Sequence, residues 1–247
     1  MPIFKQSLDL EFLKEISPTG GGMRGTYYSK IPKEYAEKLK QLGTIDPTVG
    51  IKVFDSPFFG DDLQEYLSLH FISPQLLKLG IKCTYTTEPL SISNFLQNQY
   101  TSIKHIEGVH LDKVLPYIIY SKIKKYICSN LEKRMEGAGI IWEDCQMRNY
   151  LIKNSTAKML QKEWGHHSRN AKFLNDQLAD SFMKYITPEI INSVAIVDMG
   201  SFRCKTNSEV GKAITAFRDK VYDFMKSKNF SDKVMSPVMW AFKEILQ

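Results

Sequence analysis

The chain has 247 residues, 43% of them hydrophobic and 24% charged, the balance of an ordinary globular protein. That excludes wholesale disorder, a collagen-like repeat and a disulfide-stapled miniprotein. Thirty-three Lys and Arg against 27 Asp and Glu leave a net charge of +6, a mild surplus that suits phosphate ligands but singles out neither nucleic acid nor an anionic membrane.

In chain order, a strand is expected near Leu10 to Ser17, then a glycine-rich stretch from Pro18 to Gly25 and a second extended piece at Thr26-Tyr27-Tyr28. Residues 32–43 read as a short helix opened by Pro32 and closed by Gly43. Val49 to Phe54 reads as a strand, and a helix is expected from about Asp61 to Ile72, limited by Pro74. Further strands are expected near Lys82–Thr87 and Tyr100–Ile106. After about residue 108 the pattern turns helical. Leu115, Ile118, Ile119, Ile123, Ile127 and Leu131 fall close to helical spacing within 112–136, and Gly137 and Gly139 end that helix. Residues 155–193, 207–227 and 236–246 are also expected to be helical.

Cys83, Cys128, Cys145 and Cys204 are scattered without a CxxC pair, so neither a zinc nor a disulfide framework is expected, and a reducing, cytoplasmic setting is. No apolar run approaches the ~18 residues of a membrane span. Charges interrupt the opening MPIFKQSLDLEFLKE, unlike a secretory signal. His166 and His167 point in different directions on a helix and read as surface residues rather than metal ligands. Lys122, Lys124 and Lys125 read as the wet face of an amphipathic helix.

The chemistry concentrates in the second half. Asp144 is followed by Asn149 and the apolar Tyr150-Leu151-Ile152, and Asp198-Met199-Gly200 follows the apolar Val194 to Val197. Taken alone, Asp144 and Asn149 read more readily as turn residues, and Asp198-Met199-Gly200 reads equally well as a strand end. Taken in order, an Asp, an Asn a few residues on, and a strand-borne Asp-x-Gly make the set that kinase-type phosphoryl transfer requires. On these residues the chain resembles the protein-kinase-like superfamily, and the first half carries further matches in the family's order. Gly20-x-Gly22-x-x-Gly25 matches GxGxxG, Val49-Gly50-Ile51-Lys52 looks like the segment of the strand Lys, and Glu65 stands where the family places that Lys's partner. Ser102 to Leu111 resembles the adenine-holding hinge, represented by backbone groups of Lys104 and Ile106.

The resemblance implies an α+β, two-lobed protein-kinase-like fold, with a small β-rich N-lobe over 1–107 and a reduced α-helical C-lobe over 108–247. It implies ATP and Mg²⁺ as cofactors. Lys52 and Glu65 would hold the phosphates, and Gly20, Gly22 and Gly25 would cover them. Asp144 would act on the substrate hydroxyl, and Asn149 and Asp198 would ligate the metal. The chain departs from the family in four places. Trp142-Glu143 stands where His-Arg is usual, Met199 replaces Phe, and about 40 residues, 155–193, separate the Asn149 strand from the Asp198 strand. After Gly200 the chain runs only to Gln247, without Ala-Pro-Glu. These departures imply an inserted helical element at about 155–193 and no standard activation segment. The loss of the Arg before Asp144 argues against control by loop phosphorylation.

Compact effector kinases of bacterial pathogens look like this, which would place the protein in a host cytosol. The expected activity is phosphorylation of a protein Ser/Thr (or Tyr), with an activating partner or an acidic small-molecule activator such as an inositol phosphate. The other readings are a small-molecule or lipid kinase of aminoglycoside-phosphotransferase type, a pseudokinase binding module, and nucleotidyl transfer.

Overall fold

The computed structural model describes residues 15–16, 18, 20–22, 25–28, 31–32, 34–35, 37, 50–53, 60–97, 100–104, 106–143, 145–169 and 171–247. Their architecture is α+β: small sheets and helices around one apolar core that runs from Leu63 to Ile245. The strands are β1 (Gly20–Gly22), β2 (Gly25–Tyr28), β3 (Gly50–Val53), β4 (Lys82–Cys83), β5 (Tyr100–Ile103), β6 (Val109–His110), β7 (Ile140–Trp142), β8 (Tyr150–Ile152), β9 (Ala195–Ile196) and β10 (Phe202–Cys204). The helices are α1 (Gly60–Leu67), α2 (Ser73–Lys78), α3 (Ile92–Gln97), α4 (Tyr117–Glu136), α5 (Asn154–Ser168), α6 (Asp176–Phe182), α7 (Pro188–Ser193), α8 (Glu209–Ser227) and α9 (Asp232–Ile245).

The first sheet is antiparallel in the order β1-β2-β3-β5, which puts Lys52 of β3 between Tyr27 of β2 and Thr101 of β5. The second has the order β4-β9-β8-β6, and β7 pairs with β10 in a separate two-stranded ribbon. Thr84 and Tyr85 join the two four-stranded sheets. The Thr84 N–H donates to Ile196 O at 2.8 Å, and the Tyr85 carbonyl accepts from the Lys104 N–H at 2.8 Å.

Asp62 through Leu69 are all buried, so α1 is an internal helix rather than an amphipathic surface one. Pro74 does not limit it. A π-helical turn, Ser68–Ile72, carries the chain straight into α2, where Pro74 occupies a first-turn position that needs no N–H partner. α2 ends at Gly80 in a Schellman motif, with φ of +71° and the Ile81 N–H donating to Leu76 O at 2.8 Å.

The long helix expected over 112–136 is α4, preceded by a short 3-10 turn at Leu111–Lys113. Its buried residues Ile119, Ile123, Ile127, Leu131 and Met135 recur every four positions. The helical insertion expected at 155–193 is α5, α6 and α7, tied to α4 where Lys122 pairs with Asp180 at 2.9 Å and Asp176 at 3.2 Å. Both carboxylates are exposed, so Lys122 makes these pairs on the solvated face of α4. His167 is engaged with Ser181, its Nε2 lying 2.7 Å from the hydroxyl oxygen.

Other expectations are corrected at their edges. Of the strand near Leu10–Ser17, only Glu15 and Ile16 are described, and neither belongs to a strand. Of the helix at 32–43, Glu34, Tyr35 and Glu37 are described and helical, Pro32 is described and lies outside the helix, and the rest lies outside the described residues. The strand at Lys82–Thr87 shortens to β4. Helices α8 and α9 do not extend the second half alone. They pack on the first, with Phe217 and Phe242 ring-to-ring with Phe95 at 5.5 and 5.4 Å.

Candidate functional site

Lys52 and Glu65 meet. The Lys52 Nζ lies 2.6 and 2.5 Å from the two Glu65 carboxylate oxygens, with side-chain exposures of 16% and 4%. A strand Lys with no partner rarely enters a protein interior, and here the internal helix α1 brings the compensating carboxylate to it. α1 is held from its other side as well. The Gln64 side-chain amide donates to Phe202 O at 3.2 Å, which ties the helix of Glu65 to the segment just after Asp198-Met199-Gly200.

Asn149 and Asp198 are brought to the same end of one sheet. β8 and β9 pair antiparallel with Tyr150 opposite Ile196, and the next pairing is the Val197 N–H donating to Asn149 O at 3.0 Å. Asn149 is buried and Asp198 half-buried. The Asp198 Oδ1 accepts the Gly200 N–H at 3.0 Å, a local side-chain turn. Met199 is fully buried, so it packs in the place where a Phe was expected from the resemblance. Both Asn149 and Asp198 supply oxygen donors, the type that suits a hard ion such as Mg²⁺.

Asp144 lies outside the described residues; its neighbours Glu143 and Cys145 do not. β7 pairs with β10 through Trp142 opposite Phe202, and the pairing runs on to the Glu143 N–H, which donates to Ser201 O at 3.0 Å. Trp142 stacks on Phe202 with ring centroids 5.3 Å apart and 8° between planes. Glu143, which stands where an Arg was expected, is 2.7 Å from Arg203 Nε, a charge contact rather than an aligned hydrogen bond. Arg203 also reaches Glu244 of α9 at 3.1 Å. The segment before Asp144 and the segment after Gly200 are thus zipped together and pinned to the last helix.

The glycines sit differently from the expected loop between two flanking strands. Gly20 and Gly22 are themselves β1, and Gly22 pairs with Gly25 of β2, while Met23 and Arg24 lie outside the described residues. In the expected hinge, the Lys104 N–H is already donated to Tyr85 O, β6 has formed at Val109–His110, and Ile106 is half-buried between β5 and β6. His110 Nδ1 lies 2.6 Å from Arg148 O, linking β6 to the turn that precedes Asn149.

Two features near these residues escaped sequence reasoning. Cys128 of α4 and Cys145 are disulfide-bonded, with Cα atoms 6.4 Å apart, which corrects the expectation of no disulfide. The two sulfurs lie with the Glu132 carboxylate in one group of potential metal ligands. Cysteine binds metal as a thiolate, so the bridged pair does not offer such a site. The second feature is Glu88, buried beside β5. It accepts the Ser102 N–H at 2.8 Å and the Thr101 hydroxyl at 3.3 Å, and burial pushes its carboxyl up to about 7.

No protein-family model and no curated protein sequence matches the chain.

Proposed function

We propose that this chain is a compact, two-lobed, protein-kinase-like phosphotransferase that uses ATP and Mg²⁺ to phosphorylate a Ser/Thr (or Tyr) hydroxyl of a protein. The observation that carries the reading is the Lys52–Glu65 ion pair. It joins two residues 13 apart in sequence, on a strand and a helix, as the resemblance requires. The neighbouring ends of β8 and β9, with Asn149 and Asp198, support it next.

In this reading Lys52, held by Glu65, places its charge against the α- and β-phosphates, and the Gly20–Gly25 hairpin covers them. Asn149 and Asp198 hold Mg²⁺. Bound Mg²⁺ neutralises charge on the transferring phosphoryl group. Asp144 orients the acceptor hydroxyl and takes its proton. The Glu143–Arg203–Glu244 contacts fit a site whose geometry does not wait for loop phosphorylation. Tyr66 of α1 packs on Phe95 at 5.7 Å, and α8 and α9 close on the same ring, which fits a helix α1 held from within the chain rather than by an activating partner.

The test is transfer of label from γ-labelled ATP with Mg²⁺ to a peptide panel and to an aminoglycoside, sugar and inositol panel. Wild type is compared with Lys52→Ala and Asp198→Ala. Wild type should label peptides, and each variant should be at least ~100-fold slower, the usual cost of removing one charge-stabilising group. Labelling of the small acceptors alone would move the reading to a small-molecule kinase. Equal label in all three proteins ends it. Among the described residues no helix is long and apolar enough to cross a membrane.

A further inference from the structure

The Cys128–Cys145 bridge bears directly on the segment that carries Asp144. Pairing with β10 ends at Glu143, whose N–H donates to Ser201 O, and pairing with β9 begins at Asn149, whose carbonyl accepts from Val197. Between those points Cys145 is bonded to Cys128, which belongs to the buried stripe of α4 and is 9% exposed. The bridge is thus a covalent anchor in the middle of the stretch from Glu143 to Asn149.

Its surroundings suit both redox states. The Tyr150 hydroxyl lies 2.7 Å from Cys145 Sγ and 3.3 Å from Cys128 Sγ, and Tyr150 is fully buried with its ring edge-on to Trp142 at 5.1 Å. Toward a disulfide the hydroxyl can donate; toward thiols it can donate or accept, so neither state strands a buried polar group. Cys145 is half-buried and Cys128 buried, so Cys145 is the more exposed half of the bridge.

We propose that Cys128 and Cys145 are positioning residues that form a reversible redox tether. Bridged, they hold the Glu143–Asn149 segment in the arrangement competent for phosphoryl transfer; reduced, they release it and slow the transfer step. The proposal rests on the phosphotransferase reading. The exchange is balanced with a small-molecule thiol as reductant. One thiol, as thiolate, attacks the Cys145 sulfur and expels Cys128, which takes up a proton. A second thiol attacks the mixed disulfide, frees Cys145 as a thiol and leaves as the small molecule's symmetric disulfide. Two electrons pass from the two small thiols to the bridge, and the same disulfide reverses the process.

The full chain would be equilibrated in buffers of reduced and oxidised glutathione, then alkylated after denaturation and weighed intact. Hydrogen exchange over residues 143–149 and steady-state phosphoryl transfer would be measured in each buffer. Oxidised protein should show two alkylated cysteines and reduced protein four. Reduction should speed exchange of 143–149 by at least ~10-fold, as expected for loss of a local constraint. It should lower kcat by ~10-fold or more with KM for ATP within about 2-fold, because misplacing a reacting group costs rate rather than nucleotide binding. Cys145→Ser and Cys128→Ser, which keep a polar partner for Tyr150, should behave as reduced protein in both buffers. Four alkylated cysteines in the oxidising buffer, unchanged exchange, or altered exchange with unchanged kcat each overturn the proposal. Absence of transfer in both buffers overturns the phosphotransferase reading, and the kinetic role of the tether with it, while mass and exchange still decide whether the bridge constrains the segment.

Discussion

Glu65→Gln removes one charge from the Lys52–Glu65 pair while keeping the shape of the side chain. In the wild type both carboxylate oxygens lie within 2.6 Å of Lys52 Nζ, and Glu65 is only 3% exposed. Removing one partner of a buried pair costs about 3–5 kcal/mol, because the other charge is left uncompensated. The Lys52 side chain is 16% exposed and the amide oxygen of Gln still accepts a hydrogen bond, so about 2–3 kcal/mol is expected here. For a chain of this size that corresponds to a fall in Tm of about 4–12 °C, read by differential scanning calorimetry at pH 7. Lys52→Met should cost a similar amount. The double variant Lys52→Met/Glu65→Leu should recover part of the loss, since two apolar groups leave no stranded charge. A Tm for Glu65→Gln within ~1 °C of wild type, with a double variant no better than either single, would refute the buried pair and the functional reading built on it.

Phe242→Ala, which empties a fully buried position ring-to-ring with Phe95 at 5.4 Å, should cost about 3–5 kcal/mol in urea unfolding; a loss under ~1 kcal/mol would mean that α9 does not hold the first half. Arg203→Ala should cost under ~1 kcal/mol, because its partner Glu143 is 42% exposed; label transfer should nonetheless slow, with Arg203→Lys recovering part of the rate, and an unchanged rate for both would remove Arg203 from the site. Glu88, with its folded-state carboxyl raised to about 7 from 4.5, contributes stability that is complete below about pH 4.5 and lost as pH rises to about 7. Glu88→Gln should therefore gain relative to wild type between pH 5 and pH 8, by at most about 3 kcal/mol, and an equal difference at both pH values would contradict the burial of that carboxylate. His70 works in the opposite sense. Burial lowers it from 6.5 to about 4, so its contribution is complete above about pH 6.5 and is lost as pH falls toward 4, which is why the comparison must be made against the Glu88 variant rather than on wild type alone.

Several parts of the molecule were legible because they are local. The four-residue recurrence of Ile119, Ile123, Ile127 and Leu131 is enough to place a buried helical stripe, and Gly137 and Gly139 stop it. Lys52 in an apolar strand was legible as a charge that needs a partner. That the partner is Glu65, rather than Asp61 or Asp62 beside it, was implied only by the kinase-like resemblance, and the ion pair itself is seen in the fold. β6 has two residues, too few for any alternation to register, and it forms only because β8 accepts it. The same holds for Pro74, which reads as a helix stop in isolation but sits in a first turn once the π-helical segment has reset the helix.

By itself, then, the sequence determined the helical second half, the strand-borne Lys52, and the order of the polar groups Asp144, Asn149 and Asp198 along the chain, while Glu65 as the partner of Lys52 came only with the resemblance. Only the tertiary structure decided that α9 packs beside the first half, that Arg203 neutralises Glu143, and that Cys128 reaches Cys145. The reason is physical. Periodicity and turn chemistry act over a few residues, and the sequence displays them directly. The contacts of Gln64 with Phe202, or of Arg203 with Glu244, join separate elements whose meeting depends on how the whole core closes.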